Sequence, residues 1–151
     1  MVNQVEPCLT QQLFDYLQKE RFVLLSTVDF ETGGPNVSAL SWVLAKNKQT
    51  IVFAVDNRSR IIQNIKHNNK VVINVIVEES SYSISGYVTI QEEKISGIPL
   101  PLALIKLNIK EVRDVMFYGS KITIQPEYGK TYDLEAASRL DHQVMNAMQK
   151  A

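Results

Sequence analysis

The chain has 151 residues, 45% of them hydrophobic, which is one domain's length with enough apolar side chains for a substantial core. Its 16 Lys and Arg balance 16 Asp and Glu, which disfavours a general nucleic-acid binder, since those carry a basic excess. The single cysteine, Cys8, excludes an intrachain disulfide and suits a reducing compartment, and without a signal peptide or an 18-residue apolar run the expectation is a soluble cytoplasmic protein.

Residues 9–20 predict a short amphipathic helix. Leu9, Leu13, Phe14 and Leu17 share one face while Gln11, Gln12, Gln18 and Lys19 point away, as in a lid over one end of a barrel or sheet. Residues 22–28 are strand formers. Residues 29–36 contain Gly33-Gly34-Pro35, which lacks both the Lys-Ser/Thr of a phosphate-binding loop and the spacing of a dinucleotide fingerprint, so it reads as a hairpin turn. Residues 36–44 predict the return strand, with Ser38, Leu40, Trp42 and Leu44 on one face and Val37, Ala39, Ser41 and Val43 on the other. Residues 46–49 are a tight turn.

Residues 50–77 are the most informative stretch. Residues 50–55 form a buried strand, too short for a helix, and Asp56-Asn57-Arg58-Ser59-Arg60 breaks it. Ile61, Ile62 and Ile65 then fall at helical spacing, Asn68-Asn69 is a suitable stop, and residues 71–77 form a second buried strand. A helix thus begins beside Arg58, Ser59 and Arg60. Free N–H groups, the positive end of the helix dipole and two guanidiniums together suit an anion such as phosphate. The same residues also suit an ordinary N-cap and a solvated turn.

Residues 82–90 alternate, with Tyr82, Ile84, Val88 and Ile90 inward. Gly86 on the inward side predicts a bend, a bulge or a close approach. Residues 91–101 are a loop. Residues 102–117 form a long strand with Ile105, Leu107 and Ile109 inward, whose phase shifts near Glu111, predicting a bulge. Residues 121–125 suggest a last short strand. Asp133 caps a long helix over residues 133–149, striped by Leu134, Ala137, Leu140, Val144 and Met148. His67 and His142 lack metal-ligand spacing, so no metal site is expected, and no catalytic acid or base stands out. The fold class is mainly β with flanking helices: a closed or split barrel of six to seven mostly antiparallel strands, one internal helix and helices at both termini, forming one domain over residues 1–151. The strands carry a second apolar set outside the barrel interior, with Val23, Leu25, Val37 and Val43 on one side of the alternation, which predicts a partner subunit.

The order of these elements, with Ser59-Arg60 and Asn64-Ile65 at the helix and Ile84-Ser85-Gly86-Tyr87-Val88 on the later strand, resembles the FMN-binding split-barrel superfamily, the pyridoxamine 5′-phosphate oxidase-like proteins, over residues 9–125. The resemblance implies a homodimer with FMN at the subunit interface, and a flavin-dependent oxidoreductase acting on a small molecule. Its alternatives are a non-catalytic flavin-binding or sensing protein, or a dimeric domain that has lost the cofactor. It also implies the site residues. Arg58, Ser59, Arg60 and Lys66 would meet the phosphate, Ser38, Leu40, Ser41, Trp42, Ala54 and Val55 would lie along the flavin ring, and Asn64 would add a polar contact. True pyridoxamine phosphate oxidases end in an Arg-containing substrate motif, which residues 128–151 do not resemble.

Overall fold

Period-two alternation of β-branched residues builds one antiparallel sheet, and the interruptions in that alternation shape it. The computed structural model describes residues 5–151; residues 1–4 of the expected domain lie outside the described residues. In chain order the elements are β1 (Val5–Glu6), α1 (Gln11–Tyr16), β2 (Val23–Val28), β3 (Pro35–Leu40), β4 (Val43–Asn47), β5 (Thr50–Asp56), α2 (Arg60–His67), β6 (Lys70–Val77), β7 (Ser80–Glu92), β8 (Leu102–Asp114) and α3 (Leu134–Lys150). The eight-stranded sheet runs β3-β2-β6-β7-β8-β5-β4, with β1 paired to β8. The two ends of this path, β3 and β4, are consecutive in the chain and joined only by Ser41 and Trp42. Leu40 and Val43 are therefore at most ~11 Å apart, since each residue spans at most ~3.6 Å. The sheet curls until its edges nearly meet but does not close, giving a split barrel with a seam at Ser41-Trp42.

Two apolar layers hold this shape. Ile51, Phe53 and Val55 of β5 point into the barrel with Leu25, Ile73, Ile84, Ile105 and Leu107. Alternate residues Val52 and Ala54 pack outside it, with Leu44, Leu102 and Leu104, against Val144 and Met148 of α3. The expected second apolar set is thus partly satisfied within the chain. Val23, Leu25 and Val43 belong to the barrel interior, whereas Val37 is 63% exposed on β3. At one end α1 acts as the expected lid. Thr10 caps it by accepting from Leu13 N, its Leu13 is buried along with the flanking Leu9 and Leu17, and Gln18 Nε2 donates to Ala45 O at 2.9 Å.

The bulge near Glu111 is present. Ser85 pairs with Glu111 and Gly86 with Ile109, so Lys110 is left over. Gly86 is required there, because a Cβ would sit 2.0 Å from Asn108 O.

Five expectations need correction. The helix expected over residues 9–20 spans only Gln11–Tyr16. Residues 36–44 are two strands, because β3 pairs with β2 and β4 with β5 at opposite ends of the sheet. The strand from residue 102 ends at Asp114 rather than 117. Residues 121–125 form no strand; Ile122 N reaches Glu79 O and Gln125 Nε2 reaches Ile76 O, single bonds rather than a ladder, and Ile124 is exposed. The short β1 was not anticipated, so the strands number eight.

Candidate functional site

β5 delivers the chain to the seam, and a tight turn starts α2 there. Asp56, the last residue of β5, organises the turn. Its backbone carbonyl accepts from Ser59 N at 3.0 Å. Its carboxylate accepts from Arg58 N at 2.8 Å and from Arg58 Nε and Nη2 at 3.1 and 2.9 Å. The Arg58 guanidinium holds the Asp56 carboxyl down at about 2. Arg58 is otherwise exposed.

Ser59 has the extended backbone of an N-cap (φ −71°, ψ 158°), yet its side chain makes no capping bond. Among the described residues, its Oγ is the one buried side-chain polar atom without a hydrogen-bond partner. A native structure seldom leaves such an atom unpaired without a ligand, water or strain to account for it. The first N–H groups of α2 also lack intrahelical acceptors and carry the positive end of its dipole.

This helix start closes one end of a cleft of about 320 Å³. Ser38 and Leu40 of β3 with the seam residues Ser41 and Trp42 form its wall, Ala54 and Val55 its floor, and Asp56, Ser59 and Ile61 its end. The volume is at the low end for a small-molecule site. The structure therefore gathers Ser38, Leu40, Ser41, Trp42, Ala54, Val55 and Ser59 around one space, and Arg58 is bonded to Asp56 of the same lining.

Arg58, Arg60, Asn64 and Lys66 do not line the cleft. Arg60 turns toward the β2–β3 hairpin. Its Nε and Nη2 donate to the Asp29 carboxylate at 2.6 and 3.1 Å, Nη2 also donates to Glu31 at 2.9 Å, and its guanidinium lies 4.7 Å over the Phe30 ring. Hydrogen bonding to Arg60 holds the Asp29 carboxyl well below the usual carboxylate range, and the two carboxylates raise Arg60 in turn. Asn64 is buried, and both ends of its amide are used by the hairpin and β3. Lys66 is exposed, 3.6 Å from Glu93. His67 and His142 are exposed, and among the described residues no group of three or more His, Cys, Asp or Glu is placed to hold a metal. The organising roles of Asp29 and Asp56 had no local signal beyond their place in turns.

An antiparallel sheet curled into a barrel, left open at one seam, with a cleft and a helix N-terminus at that seam, defines a β split-barrel protein. Residues 9–116 match the family model for pyridoxamine 5′-phosphate oxidase, and the chain belongs to that family. Solved structures agree on the fold. A pyridoxamine 5′-phosphate oxidase-like protein of Lactobacillus delbrueckii matches with TM-score 0.62 at 19% identity, over 74% of this chain and 98% of its own. HupZ of Group A Streptococcus matches with TM-score 0.59 at 17% identity, over 75% and 98%. General Stress Protein 26 of Bacillus anthracis matches with TM-score 0.57 at 20% identity, over 70% and 92%. No curated protein matches the chain. Among the described residues, no helix is long and apolar enough to cross a membrane.

Proposed function

We propose that the seam cleft binds FMN, in a homodimer whose second subunit completes the site, and that the protein is a flavin-dependent oxidoreductase acting on a small molecule. The observation that carries this reading is the unpartnered Ser59 Oγ at the start of α2, at the closed end of a cleft whose wall and floor are largely apolar. The residues fit the group. Ser59 Oγ, the first N–H groups of α2 and Arg58 would take the phosphate, and the space between Ser38–Trp42 and Ala54–Val55 would take the ring. FMN would supply the redox chemistry, and the chain would supply orientation and electrostatics. Family membership supports a flavin or a related nucleotide cofactor without choosing among them.

A second reading, a flavin-binding protein without catalysis, is favoured by one observation. Among the described residues, the only ionisable side chain lining the cleft is Asp56, and its carboxylate is already engaged by Arg58. A cofactor-free domain is disfavoured by the orphaned hydroxyl. Oxidation of pyridoxamine phosphate is not proposed, because the family match stops at residue 116 and the C-terminal segment lacks the Arg-containing motif.

Titration with FMN and riboflavin tests the site. FMN at 100 times its dissociation constant should stabilise the protein by about 2.7 kcal/mol, visible as a shift in Tm. Ser59→Ala should weaken FMN roughly 10-fold or more, as for a lost hydrogen bond to a charged group, and leave riboflavin nearly unchanged. Arg58→Ala should show the same selectivity. Arg60→Ala should weaken both ligands alike, because it releases the hairpin that leads into the β3 wall. Saturating FMN that changes neither flavin fluorescence nor Tm in the parent protein would rule the cofactor out.

A further inference from the structure

The two seam residues have little backbone support. The β2–β3 ladder ends at Leu40 and the β4–β5 ladder begins at Val43. Between them, Ser41 O accepts from Arg21 N and Val43 N, and Trp42 O accepts from Ala54 N. Both residues line the cleft, and their side chains meet polar groups that come together only in the folded chain. Trp42 Nε1 donates to Asp141 Oδ1 of α3 at 2.8 Å. Lys130 Nζ lies 3.0 Å from Asp141 Oδ2 and 3.2 Å from Glu20 Oε1. Tyr128 donates its hydroxyl to Glu20 Oε1 at 2.5 Å, and the Ser41 side chain lies beside the same hydroxyl. The bonded path Tyr128–Glu20–Lys130–Asp141–Trp42 thus starts beside Ser41 and ends on its neighbour, a ring that the Ser41–Tyr128 contact closes.

The members are mostly sheltered. The side chains of Glu20 and Asp141 are 19% exposed and that of Lys130 25%. A single ammonium bridges two carboxylates in a half-buried setting, where charge-assisted bonds are the stronger kind. Three of the members, Tyr128, Lys130 and Asp141, lie beyond residue 116, where the family match ends. The C-terminal segment of this chain thus reaches the back of a cleft whose lining comes from the shared fold.

We infer that this ring makes Asp141 and Tyr128 positioning residues for the ligand cleft, setting the orientation of the Trp42 indole and the Ser41 hydroxyl toward whatever aromatic ring lies against them. The inference deepens the flavin reading and rests on it for the identity of the ligand, but not for the positioning itself.

Trp42 is the only tryptophan in the chain, so its fluorescence reports on the ring before any ligand is added. Asp141→Ala should move the Trp42 emission maximum and increase quenching by acrylamide in protein that is still folded by circular dichroism. Asp141→Asn, which keeps an acceptor oxygen for the indole N–H, should restore the parental spectrum. Tyr128→Phe should leave Trp42 close to parental. With ligand, Asp141→Ala and Tyr128→Phe should each weaken FMN and riboflavin by the same factor, about 10-fold, since both ligands share the ring and differ at the phosphate. Parental emission and parental affinities in Asp141→Ala overturn the inference. So does a change in emission that Asp141→Asn fails to reverse. If neither flavin binds the parent, the flavin reading fails, and the Trp42 spectra of the ligand-free variants still decide the positioning. If Asp141→Ala does not fold, Asp141→Asn and Tyr128→Phe decide the matter. Asp141→Asn must keep the parental Trp42 spectrum, and Tyr128→Phe must weaken both flavins where the parent binds them; failure of either overturns the inference.

Discussion

The backbone N–H of Phe30, in the β2–β3 turn, donates to Oδ1 of Asn64, in the middle of α2, at 2.9 Å. The other end of the same amide donates to Thr27 Oγ1 at 3.0 Å and to Asn36 Oδ1 at 2.9 Å. One side chain, 1% exposed, therefore ties the crossover helix to both strands of the hairpin that carries the cleft wall. Asn64→Ala leaves a backbone donor without its acceptor in the interior, at a cost of about 1–3 kcal/mol. For a domain of this length that lowers Tm by roughly 2–4 °C per kcal/mol. A thermal melt showing no loss would mean that water replaces the amide. Because this amide is fully used within the fold, any flavin lost in the variant should follow its loss of stability.

Gly86 gives a harsher test. A methyl group there meets Asn108 O at 2.0 Å and Asn108 C at 2.9 Å. Both are backbone atoms of the neighbouring strand, so no side-chain rotation relieves the contact. Gly86→Ala should destabilise by about 3 kcal/mol or more, above the usual range for core overpacking, because the β7–β8 ladder has to open at its bulge. The denaturant midpoint should fall while the slope stays near the parental value. A midpoint within error of the parent would show that the bulge can slide.

What the sequence made legible was local. Residues 50–77 appear as read, because β-branched runs, a polar break and isoleucines at helical spacing need no distant partner. Gly86 and the phase change near Glu111 likewise marked the bulge correctly. The failures are pairing decisions. The alternation through Val37, Ala39, Ser41 and Val43 is continuous, yet the chain changes partner strand at Ser41, a switch set by β2 and β5. Ile122 and Ile124 alternate like a strand but find no edge to join. At the site, a serine before a helix signals a start, but only the folded chain shows that Ser59 Oγ has no partner among the described residues. Arg58 and Arg60 look interchangeable in sequence. Asp56 and Asp29 separate them, one arginine bonded to a residue that lines the cleft and the other to the hairpin.

Those two ion pairs set the response to acid. Both Asp29 and Asp56 have folded pKa values depressed by their arginines. Their stabilisation is present above the ordinary carboxylate value of 3.8 and is lost as pH falls through the folded value, which for Asp56 is about 2 and for Asp29 lies lower. In this window the unfolded chain binds more protons, so stability falls with pH. Asp56 is solvent-exposed and its share is screened, whereas the Asp29 side chain is 4% exposed. The acid limb should therefore belong mainly to Asp29. Melting curves of the parent taken down to about pH 2 should drop more steeply than those of Asp29→Asn. Parallel curves would assign the acid response elsewhere.

The last prediction concerns assembly. In β2, Leu24 pairs with Ala39 and Asn74, Ser26 with Val37 and Val72, and Val28 with Pro35. Directly paired residues share a face, so Leu24, Val28, Val37, Ala39 and Val72 lie together on the outside of β3, β2 and β6. On the other side of the seam α3 covers the corresponding face of β4, β5 and β8; here Val37 and Ala39 are exposed. β3 is also an end of the sheet path, with one edge unpaired among the described residues, and bare edges are normally covered or blunted. A second copy of the chain laid over this face would cover both, next to the open side of the cleft. Sedimentation velocity at micromolar concentration should show a dimer for the parent and a shift toward monomer for Val37→Lys, since a buried unpaired ammonium is costly. If the second subunit completes the site, Val37→Lys should also weaken FMN although Val37 does not line the cleft. A parent that sediments as a clean monomer with and without FMN would remove the dimer from the reading. A dimer unmoved by Val37→Lys would place the interface on another face.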